Sequence, residues 1–283
     1  MVADAIRSAY AQTLPPLEVI VVNDGSTDNT AEVLQHLSTE LPSSFVWETK
    51  VNGGEASARN RCVELSRGEF IAFLDQDDRW LPTKLEHQMA LFSDDPATAL
   101  SFTAYTRVSS TTREVVAVRR WDPDPESVLK ELMIGCCITP STVIVRRAAL
   151  ASVPQFDESL WLGCDWTMWL RLATAGYRMV YLPEPLTEYA WHETNMSRDQ
   201  RRIADAALVI FDRLFLSRSL PPAVQRRRRW CMARWHLISA ISKLQADEPA
   251  AGRRQLLKAM RTRPVSIRPG WLRLLWRSFA AAA

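Results

Sequence analysis

The chain has 283 residues, 47% of them hydrophobic, and a formal net charge of +3. That length and composition support a full buried core and exclude a disordered chain, and no apolar run approaches the roughly 18–20 residues of a membrane span. The small net charge hides an asymmetry: residues 198–283 hold 19 Lys+Arg against 5 Asp+Glu, whereas residues 1–197 hold 16 against 27.

In chain order, the opening MVADAIRSAY lacks the basic-then-apolar order of a secretory signal, and residues 2–12 read as an amphipathic helix. Leu17–Val22 is a dense apolar run rich in β-branched residues, the pattern of a buried parallel strand. Asn23-Asp24-Gly25-Ser26 breaks it and a helix is expected from about Thr30. Phe45–Thr49 reads as a second strand, Asn52-Gly53-Gly54 as a turn, and residues 55–66 as a helix closed by Gly68. Phe70–Leu74 is a third strand, ending at Asp75. Pro82 is expected to open the next helix, and Leu100–Val108 and Ser141–Val145 read as strands. A helix over 164–175 ending at Gly176 and a strand over Arg178–Leu182 follow. Beyond Ser197 the pattern turns helical, over about 198–218, 222–246, 250–262 and 270–279. The alternation predicts an α/β fold with a mostly parallel, Rossmann-like sheet flanked by helices over residues 1–197, and a basic helical extension over 198–283.

Cys62, Cys136, Cys137, Cys164 and Cys231 form no CxxC pair, which fits small packing residues in a reducing cytosol. The chemistry-bearing segment is Phe70-Ile-Ala-Phe-Leu-Asp75-Gln-Asp77-Asp78. A buried strand delivers three carboxylates to its C-terminal end, where ligands bind in open α/β sheets. Three close anions repel one another unless a cation is present, and a hard divalent metal answers that; a surface turn or helix cap is the alternative. Asp24, at another strand end, is placed to accept from a base or ribose, or to make an ordinary Asx turn. Arg59, on the second turn of a helix, suits a phosphate-bearing ligand, or is a surface residue.

Together the blocks VIVVNDGSTDNT, NGGEASARNRC, GEFIAFLDQDDRW and CDWTMWLRLATAGYRMVYLPEPLTEYAWH resemble glycosyltransferase family 2, with its GT-A fold, in order and spacing over roughly residues 3–197. The resemblance implies an inverting transferase that moves a sugar from a nucleoside-diphosphate sugar, UDP above others, to a hydroxyl of a glycan or lipid-linked saccharide. It implies base contact by Asp24, a place near the nucleotide for Arg59, ribose or metal contact by Asp75, and Mg²⁺ or Mn²⁺ on Asp77. The general base falls to Asp165, with Cys164 where relatives carry glutamate; an N-cap role for Asp165 is the alternative. His192 matches a histidine that follows the last core strand in many relatives and is a further candidate metal ligand. Trp161, Trp166 and Trp169 either line an acceptor pocket or fill the core.

The family normally opens with a buried strand before the helix that here starts at Val2. The expectation is that this strand lies upstream of Met1; the alternative is an impaired nucleotide-sugar-binding pseudoenzyme or scaffold. A nucleotidyltransferase would carry an early Gly-rich basic loop, and none is visible. For the basic extension the alternatives are a helical cap on the acidic core or docking on an anionic membrane surface, as a peripheral protein on the cytoplasmic face. A nucleic-acid partner is not expected, because no binding motif accompanies the charge.

Overall fold

The computed structural model describes residues 1–217 and 220–263. The chain divides into two compact units, Met1–His192 and Glu193–Ala283, each taken by itself below.

The first unit runs α1 (Val2–Tyr10), β1 (Val19–Asn23), α2 (Thr30–Glu40), β2 (Phe45–Thr49), α3 (Glu55–Leu65), β3 (Phe70–Ala72), β4 (Arg79–Trp80), α4 (Lys84–Asp94), β5 (Thr98–Val108), β6 (Arg113–Val116), α5 (Pro125–Leu132), β7 (Val143–Arg146), α6 (Arg147–Ala151), α7 (Cys164–Thr174) and β8 (Arg178–Ala190). In α1 the spacing of Ala5, Ile6 and Ala9 puts all three on one buried face. Ile6 packs with Leu34 and Leu37 of α2 and Phe45 of β2. Helix α4 starts two residues after Pro82, because Thr83 is its N-terminal flank. Helix α5 was not legible from periodicity, although its Asp124-Pro125 start is strong. The Asp124 carboxylate accepts from the amides of Glu126 and Ser127, and Pro125 fills the first turn.

The α/β architecture is as expected, but the sheet is more mixed than the strand–helix alternation implied. β1 and β2 pair in parallel as a two-stranded sheet. The second sheet has six strands in the order β3-β7-β5-β8-β4, with β6 on β5. In it only β5 and β8 pair in parallel; β7 lies antiparallel to both β3 and β5. The chain reaches β7 from β6 through α5 and the stretch 133–142. β8 runs eight residues past the expected Leu182, to Ala190, because its register shifts at bulges against β5 let it carry Pro183 and Pro185.

β1 and β3 each have one strand neighbour among the described residues. They begin at the same end, since the Glu18 carboxylate accepts from the Arg67 amide at 2.5 Å and from Arg67 Nε at 3.0 Å. Val19 and Phe70 pack against one apolar cluster with Trp80, Phe92 and Ile144. Beneath it Lys84 is fully buried, with its Nζ 4.4 Å from the Trp80 ring centroid and no hydrogen-bond partner. Burial pushes its ammonium well below the ordinary lysine value.

The second unit contains α8 (Gln200–Leu216), α9 (Pro222–Gln225), α10 (Arg228–Gln245) and α11 (Pro249–Thr262). Phe211 of α8 stacks on Trp235 of α10 with ring centroids 6.2 Å apart. The Asp205 carboxylate holds the nearly buried Lys243 at 2.5 Å and Ser239 at 2.9 Å. The helix expected over 270–279 lies outside the described residues. No described helix is long and apolar enough to cross a membrane.

Candidate active site

The C-terminal end of β3 and the N-terminal ends of α3 and α7 converge on one charged cluster. Its centre is Arg59, 8% exposed. Its Nη2 donates to Asp75 Oδ1 at 2.8 Å, a guanidinium nitrogen meets Glu55 one turn earlier on α3, and Nη1 donates to Cys164 Sγ at 3.5 Å. Desolvation works against the guanidinium charge, but Asp75 and Glu55 outweigh it. Arg59 is thus already engaged with Asp75. The Glu55–Arg59 pair was legible as an i,i+4 spacing but was not singled out.

Asn60, the next residue, turns the other way. Its Nδ2 donates to the Phe156 carbonyl at 3.0 Å and to Glu158 at 2.9 Å, while its Oδ1 accepts from the Phe156 amide at 2.9 Å. One turn of helix therefore fixes both the strand-end aspartate and the loop leading to Asp165. No sequence signal beyond the adjacency of Arg and Asn marked this residue.

Asp165 lies in the first turn of α7. The residue capping that helix is Gly163, in the left-handed conformation at φ 82°, and no side chain caps it. Asp165 is therefore an inward-facing first-turn residue and not the cap. Burial raises its carboxyl above the ordinary range; the Arg59 charge and the Trp166 amide pull the other way, and Asp75 adds to the rise. Of the three tryptophans, Trp166 and Trp169 are core: their Nε1 groups donate to the carbonyls of Leu132 at 2.9 Å and Ile138 at 3.1 Å. Trp161 is 62% exposed.

Asp24 organises a turn at the end of β1. Its Oδ1 accepts from Lys50 Nζ at 2.8 Å and the Gly53 amide at 3.0 Å, and its Oδ2 from the Gly54 amide at 2.7 Å. Desolvation would raise its pKa, but Lys50 and the two amides outweigh that and hold it below the ordinary carboxylate value. Gly54 has φ 86°, a conformation that a side chain disfavours. Asp24 thereby shapes the Asn52-Gly53-Gly54 turn; Lys50 was missed from sequence.

Asp77 and His192 meet at the end of β8: His192 Nε2 lies 3.0 Å from Asp77 Oδ2. Among the described residues no group of three or more His, Cys, Asp or Glu forms a metal shell. The Asp77 carboxylate is a hard oxygen donor of the kind Mg²⁺ and Mn²⁺ take, with phosphate oxygens and water completing the sphere, and the imidazole beside it is a donor that Mn²⁺ accepts more readily than Mg²⁺. The chemistry of the residues present fits such an ion.

Asp78 is different. It is 1% exposed and accepts from the Ala190 amide at 2.9 Å through Oδ1, with the Ser141 hydroxyl also favouring its charged form, while Oδ2 has no hydrogen-bond partner among the described residues. Burial first, then the negative Asp75, push its carboxyl up to about 7. The folded protein therefore binds this proton more tightly than the unfolded chain, whose value is about 4. Stability from Asp78 is full below pH about 4 and is lost as pH rises through about 7. In EDTA, Asp78→Asn is expected to flatten the stability profile between these limits by about 2–4 kcal/mol. Parallel urea-unfolding profiles for parent and variant would contradict the assignment.

Residues 1–153 match the sequence profile of Glycosyl transferase family 2. The chain belongs to glycosyltransferase family 2. The matched stretch carries Asp24, Arg59, Asp75 and Asp77, and stops short of Asp165 and His192. Among relatives in the family, the chain is 29% identical over 215 residues to Bacillus subtilis TuaG, named for teichuronic acid biosynthesis, covering 74% of this chain and 81% of TuaG. It is 28% identical to Escherichia coli WfaP, a UDP-Glc:alpha-D-GlcNAc-diphosphoundecaprenol beta-1,3-glucosyltransferase, over 61% of this chain and 65% of WfaP. The fold is that of Staphylococcus aureus TarS residues 1–349 in complex with UDP, at TM-score 0.69 and 18% identity over 99% of this chain and 83% of that one. A mannosyltransferase from Pyrobaculum calidifontis, holding GDP-Man and Mn²⁺, gives TM-score 0.64 at 18% identity over 99% of this chain and 76% of its own. The chain is thus a family 2 glycosyltransferase with the GT-A fold, of a kind that uses nucleotide sugars.

Proposed function

We propose that this enzyme is a metal-dependent, inverting transferase that moves a sugar from a UDP-sugar to a hydroxyl of a glycan or lipid-linked saccharide. The observation that carries the reading is the coupling, through buried Arg59, of the strand-end Asp75 to the base candidate Asp165. The choice of UDP and of a lipid-linked acceptor is supported by the name of WfaP, which carries both UDP-Glc and a diphosphoundecaprenol acceptor.

In this reading the Asp24-held turn receives the base and Asp75 faces the ribose side. Asp77 and His192 would hold the divalent ion, which would supply positive charge against the diphosphate. An acceptor hydroxyl donates its proton to an Asp165 carboxylate oxygen as its own oxygen attacks the anomeric carbon. The bond from that carbon to the diphosphate oxygen breaks, and UDP leaves with the electron pair on the face opposite the attack, so the configuration inverts. Burial, which raises the Asp165 carboxyl, makes it a stronger base than an exposed aspartate.

Calorimetric titration of UDP, GDP and dTDP, with and without Mn²⁺, tests the donor half. The expected result is metal-dependent UDP binding that Asp77→Ala weakens by at least about tenfold, as loss of one ligating carboxylate should. Equal affinity with and without Mn²⁺, or preference for another nucleotide, overturns it. Donor binding without turnover on any acceptor favours the scaffold alternative.

A further inference from the structure

We propose that the second unit docks on an anionic phospholipid surface through the outer face of α11, with the Arg226–Arg229 run beside it. The inner face of α11 is committed. Gly252, Leu256 and Ala259 are buried, and a Cβ at Gly252 would lie 2.7 Å from Leu244 Cγ of α10. The outer face carries Arg254, Lys258 and Arg261, all exposed, at spacings of four and three that align them along one stripe. None of these three, nor exposed Arg263, has a carboxylate partner among the described residues.

The helices α10 and α11 run antiparallel, as two contacts fix. Gly252 sits at Leu244 and Ala240, and Gln255 Oε1 lies 2.8 Å from His236 Nδ1. The start of α10 therefore lies at the same end as Arg261 and Arg263. There Arg226, Arg227 and Arg229 are exposed and have no carboxylate partner among the described residues, and Arg228 reaches Asp212 only at 4.0 Å. The charge is of one sign over a long stretch: residues 249–283 contain 8 Lys+Arg and no Asp or Glu. A face kept only for solubility mixes signs, whereas this one fits a polyanion.

The sequence between 270 and 279 favours a membrane over a nucleic acid. Trp271, Leu272, Leu274, Leu275, Trp276 and Phe279 interleave with Arg273 and Arg277, the composition that partitions at a headgroup boundary. The proposal stands on the charge and geometry of this unit and does not need the donor assignment.

The test is co-sedimentation of the full chain with phosphatidylcholine vesicles, with or without phosphatidylglycerol, beside a short duplex DNA at the same ionic strength. Binding is expected only with phosphatidylglycerol, and it should weaken with salt. The combined Arg254→Gln, Lys258→Gln and Arg261→Gln variant should lose about 100-fold in partitioning, at roughly fivefold per cation. Arg226→Gln, Arg227→Gln and Arg229→Gln together should lose a comparable factor, with an unchanged thermal midpoint in both. No sedimentation, equal binding by parent and variants, or tighter binding to DNA than to vesicles overturns the proposal. UDP titration of the same variants should match the parent, so a failure here is separable from a failure of the donor reading.

Discussion

Asp165→Asn is expected to lower kcat by about 10²–10⁴-fold, the usual contribution of a positioned general base, while leaving UDP affinity within about threefold. Asparagine keeps the shape and the acceptor oxygen of the side chain but takes no proton at neutral pH. The substitution also removes a negative charge that the Arg59 cluster must otherwise balance against burial. Folding should therefore be unharmed, and thermal unfolding is the control. Steady-state transfer from a UDP-sugar, with UDP titration alongside, gives both readouts. A kcat within about threefold of the parent would remove Asp165 from the base role. A joint loss of UDP binding would instead make it a structural residue.

Arg59→Leu is expected to destabilise the first unit by about 2–3 kcal/mol, because it strips a buried guanidinium from Asp75 and Glu55, whose carboxylates are each about a third exposed. Asp75 would lose a 2.8 Å charge-assisted bond, and Glu55 its ion pair. Desolvation already raises the Glu55 carboxyl against the pull of Arg59, with Asp165 and Asp75 adding to the rise. Without the guanidinium, that pull is lost and the Glu55 carboxyl should rise further. Arg59→Lys is the informative companion. It retains the charge but cannot reach Asp75, Glu55 and Cys164 with one planar fork, so a large part of the loss should remain. Urea unfolding of both variants is the measurement. A cost below about 1 kcal/mol for the leucine variant would mean that the cluster is solvated and carries little of the fold.

What the sequence disclosed follows from how local each signal is. β1, β2 and β3 were legible because each is a short apolar run closed by a turn residue. So was the delivery of Asp75 and Asp77 to a strand end. β4 and β6 were not, because two residues at Arg79–Trp80 and an exposed hairpin arm at Arg113–Val116 carry no periodicity. Antiparallel β7 depended on a long-range pairing that no local pattern encodes. At the site, residue types were readable but partners were not. Arg59 pointed to a phosphate, yet its buried position commits it to Asp75 and Glu55. Asp24 pointed to a base, yet both its oxygens already hold Lys50 and the Gly53-Gly54 turn. Such commitments depend on burial, and burial is decided by the whole chain.

The open flanks of β1 and β3 have a consequence for cooperativity. Among the described residues no backbone-to-backbone hydrogen bond joins residues 17–53 to the six-stranded sheet. The two are held by side chains: the Glu18–Arg67 pair and the apolar cluster shared by Val19 and Phe70. Among the described residues, loosening the stretch bearing Asp24 breaks side-chain contacts and no rung of the larger sheet. A ligand that touched both Asp24 and Asp77 would bridge that stretch to the rest, and its binding free energy would be added to the side-chain contacts that join them.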